Sequence, residues 1–394
     1  MRSLDSIRVV LVLTVALSAG ACDEGRPLSA PPDLGPATQE QAEAYGERLL
    51  EGLRTCNSRT LSTVFDLESL ATIALRQSTL NNRLQQEFLS AVQHNRFQQL
   101  GDLFQCRDEE YAAGFVVEGI RNLDGKPAVV IGNFAQGSLL WQFPVGTTPG
   151  GQVVARDFFD YSQGSLMTSI FTDYDNLVAG DSYNQATVIE VLGALREGEP
   201  ASLERMSELT KASRTNRKMQ ISELQVRAYL GAEEYKAARA RFYKRYPKHD
   251  ALHLLTQAAL TNAGDSAGAL EAIDALDAQI GGVPGLDLLR LGVIEEMNAP
   301  LQLLETAKRA VRAMPNRDDS WFWLLEAQQQ TKDHEGMLAT MKEIGERFET
   351  IWDRSAPEDE FFAEFATTPH WEAYHAWLGE SFELDTEEET AAGP

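Results

Sequence analysis

Three sets of residues in the second half of this chain recur at a fixed interval of 34 positions: Ala269, Leu303 and Met337; Ile273, Ala307 and Met341; Leu276, Ala310 and Ile344. Within each copy the three positions lie three or four apart, the spacing of one helix face. An interval of this length is too long for one ordinary helix and too short for a domain. It specifies a supersecondary unit whose apolar face is buried only by stacking on its neighbours. Strand signals vanish from Tyr183 onward, so an all-α second half is expected.

The 34-residue period of these sets resembles that of the tetratricopeptide (TPR) family, whose unit is a helix-turn-helix. Under that resemblance Gly264-Asp265 matches the family's inter-helix turn, Pro315 its closing proline, and Trp321 and Leu324 fall where the motif has Trp and Leu. The resemblance covers about 218 to 349, roughly four units, and implies a protein or peptide partner. An earlier copy is visible in Tyr229, Gly231, Tyr235, Ala238 and Phe242, with Ala238 only 31 residues before Ala269. Leu303 and Met337 stand where the family prefers alanine, so the repeats are degenerate. A TPR-like solenoid is therefore expected over 185–352. Phe361, Phe362, Phe365, Trp371, Tyr374 and Trp377 read as either a partner groove or a helical cap over 353–382, and the cap is expected because repeat arrays need their last apolar face sealed. Residues 383–394 are acidic and rich in small residues, the composition of a disordered tail.

The segment 38–184 reads differently. Thr38-Gln39-Glu40-Gln41 has capping-box spacing, and Ala42, Tyr45, Leu49, Leu53 and Cys56 then mark a helix face. Further helices are expected over 66–77 and 82–100. Beyond Tyr111 the period changes to that of strands, at 115–120 and 128–131 about Asp124-Gly125, then 139–143 and 153–159 about 147–151. Residues 166–174 fit either a strand or a helix. Three helices followed by a curved antiparallel sheet resemble the NTF2-like cone fold, which often encloses a pocket. The fold class expected is thus an α+β domain followed by an all-α solenoid. Strand alternation would place Asp157 and Tyr161 on one face, with Asp160, Asp173 and Tyr174 nearby, either at a pocket or as solvated carboxylates at a sheet margin.

At the N-terminus Arg2 and Arg8 flank an apolar run from Val9 to Ala19 that ends in Ala19-Gly20-Ala21-Cys22. The run is too short for a stop-transfer helix and has the form of a signal peptide over 1–21. A small-residue stretch closing on cysteine resembles the lipobox of bacterial lipoproteins, which implies acylation of Cys22 and a lipid-anchored protein at the cell envelope. Ala19-x-Ala21 equally satisfies ordinary signal peptidase, which would release a soluble protein. The Pro-, Gly-, Ser- and Ala-rich stretch 22–37 favours the anchor, because it reads as a flexible tether. With Cys22 acylated, Cys56 and Cys106 remain either as a disulfide, expected outside the cytosol, or as two separate thiols.

Chemical motifs are sparse. His249-Asp250-Ala251-Leu252-His253 is expected to open a repeat helix after Pro247 and to place two imidazoles four apart on one helix face, as in the zinc motif H-E-x-x-H, but Asp replaces Glu and no third ligand is assignable, so a solvated pair is expected. His370 and His375, five apart, do not share a helix face. Gly146 and Gly150-Gly151 bracket Pro149 and suit a turn better than a phosphate cradle. Arg239, Arg241, Lys244, Arg245 and Lys248 form a local basic cluster that either balances Glu233 and Glu234 or binds a partner. The net charge of −24 opposes binding to nucleic acid. No catalytic residue, metal or cofactor is expected. The chain reads as a non-catalytic interaction scaffold tethered to a membrane; the alternative is an envelope enzyme or small-ligand-binding protein using an NTF2-like pocket. Cys22→Ser should shift the protein from the membrane to the soluble fraction, and intact mass should show lipid on the unmutated chain. An unmodified Cys22 would remove the anchor.

Overall fold

A computed structural model describes residues 26–104, 109–123, 125–134, 139–179, 185–196, 198–354, 356 and 360–381. Contact density divides the chain into two compact units between Val283 and Pro284. Among the described residues no helix is long and apolar enough to cross a membrane.

The first unit opens with strand β1 (Gly35–Pro36) and helices α1 (Gln39–Arg54), α2 (Ser58–Val64), α3 (Leu67–Gln77), α4 (Asn82–His94), α5 (Arg96–Leu103) and α6 (Glu109–Ala113). The expected capping box forms: Thr38 Oγ1 accepts from the Gln41 amide at 3.1 Å, and Gln41 Oε1 accepts from the Thr38 amide at 2.9 Å. The helix expected over 82–100 breaks at Asn95. That residue leaves helical geometry and its side chain donates to the Ala91 carbonyl at 3.1 Å, ending α4. Two short helices, α2 and α6, lack a full apolar period and were not legible in the sequence. The stretch read as a flexible tether is held from residue 26 onward. Gly35 and Pro36 pair with Thr147 and Gly146, Arg156 donates to the Pro32 carbonyl, and Leu28 and Ala37 pack on the core.

The sheet is antiparallel and open, with β2 (Phe115–Leu123), β3 (Lys126–Asn133), β4 (Leu139–Thr147), β6 (Phe159–Asp160) and β7 (Ser165–Leu166) in that order. The strand β5 (Val153–Ala155) pairs with the far end of β4. Both expected hairpins form, with Leu123 opposite Lys126 and Thr147 opposite Val153. The strand expected over 153–159 splits into β5 and β6, because Arg156–Phe158 leave the ladder. Residues 167–174 prove helical, as part of α7 (Met167–Ala179).

Gly46 lets α1 lie close on the sheet; a Cβ there would sit 3.2 Å from Val129 Cγ1. Between helices and sheet the space is filled by rings. Phe65, Phe104, Phe115, Trp141, Phe143 and Phe158 are all buried, with neighbouring ring centroids 4.8–6.3 Å apart.

Helices α8 (Gln185–Arg196), α9 (Ala201–Arg205), α10 (Lys211–Arg214), α11 (Arg217–Leu230), α12 (Ala232–Arg245), α13 (His253–Asn262) and α14 (Ser266–Ile280) complete this unit. The division expected at 184/185 therefore falls inside it. Asp173 of α7 pairs with Arg217 of α11 at 2.6 Å, and Arg121 of β2 donates to the carbonyls of Ile280 and Gly282 at the end of α14. A guanidinium there meets the negative end of the α14 dipole as well as its free carbonyls.

The second unit holds α15 (Leu286–Glu296), α16 (Pro300–Ala313), α17 (Asp318–Thr331), α18 (His334–Phe348), α19 (Glu360–Ala363) and α20 (Pro369–Ser381). Asp287, buried on α15, is clasped by Arg309 of α16 at 2.6 and 2.7 Å and by Arg290 at 2.8 Å. The aromatic end packs on α18: a Cβ at Gly345 would lie 2.8 Å from the Trp377 ring, and Trp371 and Tyr374 are buried.

Helices α12, α14, α16 and α18 begin at Ala232, Ser266, Pro300 and His334, each 34 residues after the last. The residues two before the last three starts, Gly264, Asn298 and Lys332, all have positive φ, between 51° and 73°. Asp265 and Asp333 then cap the following helices by accepting from the Gly268 and Gly336 amides. The earliest copy has a different register from the sequence reading: Tyr235, not Ala238, is 34 residues before Ala269. Tyr235, Ala269, Leu303 and Met337 are all buried. Gly264 has open space around it, so Gly264→Ala meets only backbone strain. It should cost about 1 kcal/mol, and Lys332→Gly should give a smaller gain. Denaturant titration checks both; an unchanged Gly264→Ala midpoint would refute the corner's role.

Candidate functional site

The carboxylates singled out in the sequence are folded into separate local tasks. Asp157 sits where the chain leaves β5. Its carboxylate accepts from the Phe158 amide at 2.9 Å, the Thr168 amide at 3.1 Å and Thr168 Oγ1 at 2.5 Å, fixing the start of α7. Burial raises its pKa, against the opposing hydrogen bonds from Thr168. Tyr161 instead donates to Gln142 Oε1 at 2.6 Å, and burial pushes its pKa up to about 12. The two do not form a pair, because the strand that would have aligned them is broken at 156–158. Tyr174 belongs to α7, and its side chain falls outside the described residues.

A polar seam runs from the end of the sheet to helix α11 and the turn before α13. Asp160 is buried and accepts from the Ser162 amide at 2.8 Å and Ser162 Oγ at 2.6 Å. Burial raises its pKa, with Lys218 opposing the shift. Lys218, also buried, donates to Gln163 Oε1 at 2.8 Å. Asp173 accepts from Arg217; burial raises its pKa and the Arg217 charge works against that rise. His249 Nε2 lies 3.0 Å from the Gln163 carbonyl and must carry the proton to donate there, while Nδ1 lies 3.5 Å from Ser165 Oγ. Gly164 fits against this contact at φ +58°; a Cβ would come within 3.1 Å of both His249 Nε2 and the Asp250 carbonyl. Gln142, Gln163 and Lys218 were missed in the sequence. The only available signal was Gln142, a polar residue inside the apolar run 139–143.

The paired histidines do not share a helix face, which corrects the sequence reading. Helix α13 begins at His253, and 246–252 are non-helical. The Tyr243 hydroxyl holds that turn, donating to the Asp250 carbonyl at 3.1 Å and accepting from the Leu252 amide at 3.0 Å. Among the described residues no group of three or more His, Cys, Asp or Glu side chains is placed to hold a metal. His370 and His375 both lie on α20. Cys56 is half-buried at φ 48°, its thiol 3.7 Å from the Leu53 carbonyl. Cys22 and Cys106 lie outside the described residues.

The seam's side chains bond to one another and to the backbone, an arrangement that positions the end of the sheet against α11 and the turn before α13. A depression of about 400 Å³ lies between α1 and β2, lined by Gln39, Glu43, Glu47, Val117 and Ile120. Comparison with protein-family models, curated proteins and solved structures finds no match to this chain.

Burial, then the Arg217 charge, holds the His249 pKa below its usual 6.5. A lowered folded pKa means that its contribution to stability is complete above the unfolded value and is lost as pH falls through the folded one. The buried carboxylates, with raised values, act oppositely and are common to wild type and variant. From about pH 7 to about pH 5 the wild-type melting temperature should therefore fall more steeply than that of His249→Gln, which gains no proton. Parallel slopes would remove His249 from the seam's energetics.

Proposed function

We propose that this chain is a membrane-tethered lipoprotein of the bacterial cell envelope that acts as a non-catalytic scaffold, binding a protein or peptide through TPR-like repeats. The observation that carries the reading is the 34-residue recurrence of helix starts and left-handed corners. A stack of such hairpins presents an extended surface whose interior positions are committed to packing. The buried Ala, Leu, Ile and Met of α14, α16 and α18 fit that division of labour. The ring-filled interior of the α+β region further supports binding over catalysis, since an NTF2-like enzyme needs an open pocket. Anchorage rests on the Ala19-Gly20-Ala21-Cys22 sequence alone.

Cross-linking in intact envelopes, followed by capture and peptide mapping, tests the proposal. Cross-links should fall on exposed positions of 217–348 and persist in chelator and in Asp157→Asn. They should be lost in Ala269→Arg, where a charge enters a fully buried position at a cost of roughly 3–5 kcal/mol. A partner retained by Ala269→Arg, or cross-links confined to 38–184, would reduce the helical region to a spacer.

A further inference from the structure

The basic cluster of α12 stands out against an acidic chain. Its bland explanation, neutralisation by Glu233 and Glu234, fails on geometry. Glu233 pairs with Lys236 at 3.4 Å and Glu234 with Arg227 at 2.9 Å. Among the described residues Arg241 reaches only Glu223, at 3.6 Å, and Glu223 is already held by Arg227 at 2.7 Å. Among the described residues, Lys244, Arg245 and Lys248 are exposed and have no carboxylate within ion-pair distance. Arg239 lies over the Tyr243 ring at 5.5 Å, and its Nε is shielded from solvent without an acceptor. The Tyr246 hydroxyl donates to the Thr215 carbonyl, fixing this end of α12 beside α10, whose Lys211 and Arg214 are also exposed and without an ion pair. Asp250 is the exposed carboxylate that follows the cluster in sequence.

We infer that this surface takes a short acidic segment of the scaffold's protein partner, an inference that rests on the binding function proposed above. Concentrated positive charge on a rigid helix recognises carboxylates by complementarity and sets the register of the complex. The scale suits a segment. From Arg239 to Arg245 the helix rises about 9 Å, the length of roughly three extended residues. A continuous polyanion such as an anionic bilayer is disfavoured, because the net charge of −24 repels a surface larger than the patch.

The test uses the full chain carrying Cys22→Ser, so that no lipid contributes, with fluorescein-labelled hexaglutamate as the probe at low salt. The peptide should bind. The double variant Lys244→Glu/Arg245→Glu should weaken it at least about tenfold, while Arg59→Glu/Arg83→Glu, a reversal at exposed sites elsewhere, should change it less than about twofold. Circular dichroism must show both variants folded; Lys244→Gln/Arg245→Gln replaces the reversal if it does not. Absent peptide binding, or binding indifferent to the α12 changes, overturns the inference. So does patch-dependent flotation with phosphatidylglycerol vesicles in place of peptide binding. Envelope cross-links that persist in the α12 variant would sink this surface and leave the scaffold standing. Peptide binding without any cross-linked partner would sink the scaffold instead.

Discussion

Helices of fifteen residues or fewer, such as all those that follow the sheet, are marginal in water by themselves. Their stability has to come from burying one face against a neighbour, and every other feature of the helical region follows from that constraint. The left-handed corners at Gly264, Asn298 and Lys332 fold each helix back on the one before it. The aspartate caps at 265 and 333 then satisfy amides that the corner leaves free. Asn298 and Lys332 adopt the conformation at an energetic cost, which shows that packing outweighs local preference there.

The α+β region solves the same burial problem with rings instead of repeated hairpins. Six buried aromatic side chains meet with neighbouring ring centroids 4.8–6.3 Å apart, and Asp157 near them serves local geometry. The polar seam is the place where this region meets helix α11 and the turn before α13. Buried ion pairs and hydrogen bonds contribute little net stability when complete but are costly when broken, so such a seam fixes one arrangement against alternatives. Arg121, reaching from the edge strand to the end of α14, adds a second point of attachment within the same unit.

Legibility in the sequence depended on how local the governing physics is. The capping box at Thr38, both hairpin turns and the 34-residue spacing were readable because each rests on residues close in the chain. The break of the long helix at Asn95 was not, since Asn is compatible with either outcome until its side chain finds the Ala91 carbonyl. The aligned pair Asp157 and Tyr161 failed for a related reason. Strand alternation assumes a continuous ladder, and the chain leaves it at 156–158 to start α7.

By itself the sequence determined the class of architecture, helices and an antiparallel sheet followed by stacked helical hairpins, because periodicity and turn chemistry act within a few residues. It also carried the basic cluster of α12 in full. Only the structure decided whether that cluster was neutralised, since Arg227 takes Glu234 and Lys236 takes Glu233. The same holds for the register of the earliest hairpin, where Tyr235 took the crossing position that a small residue holds at Ala269. It holds too for the unit boundary at 283/284, which depends on contacts between residues more than forty positions apart, such as Asp173 and Arg217.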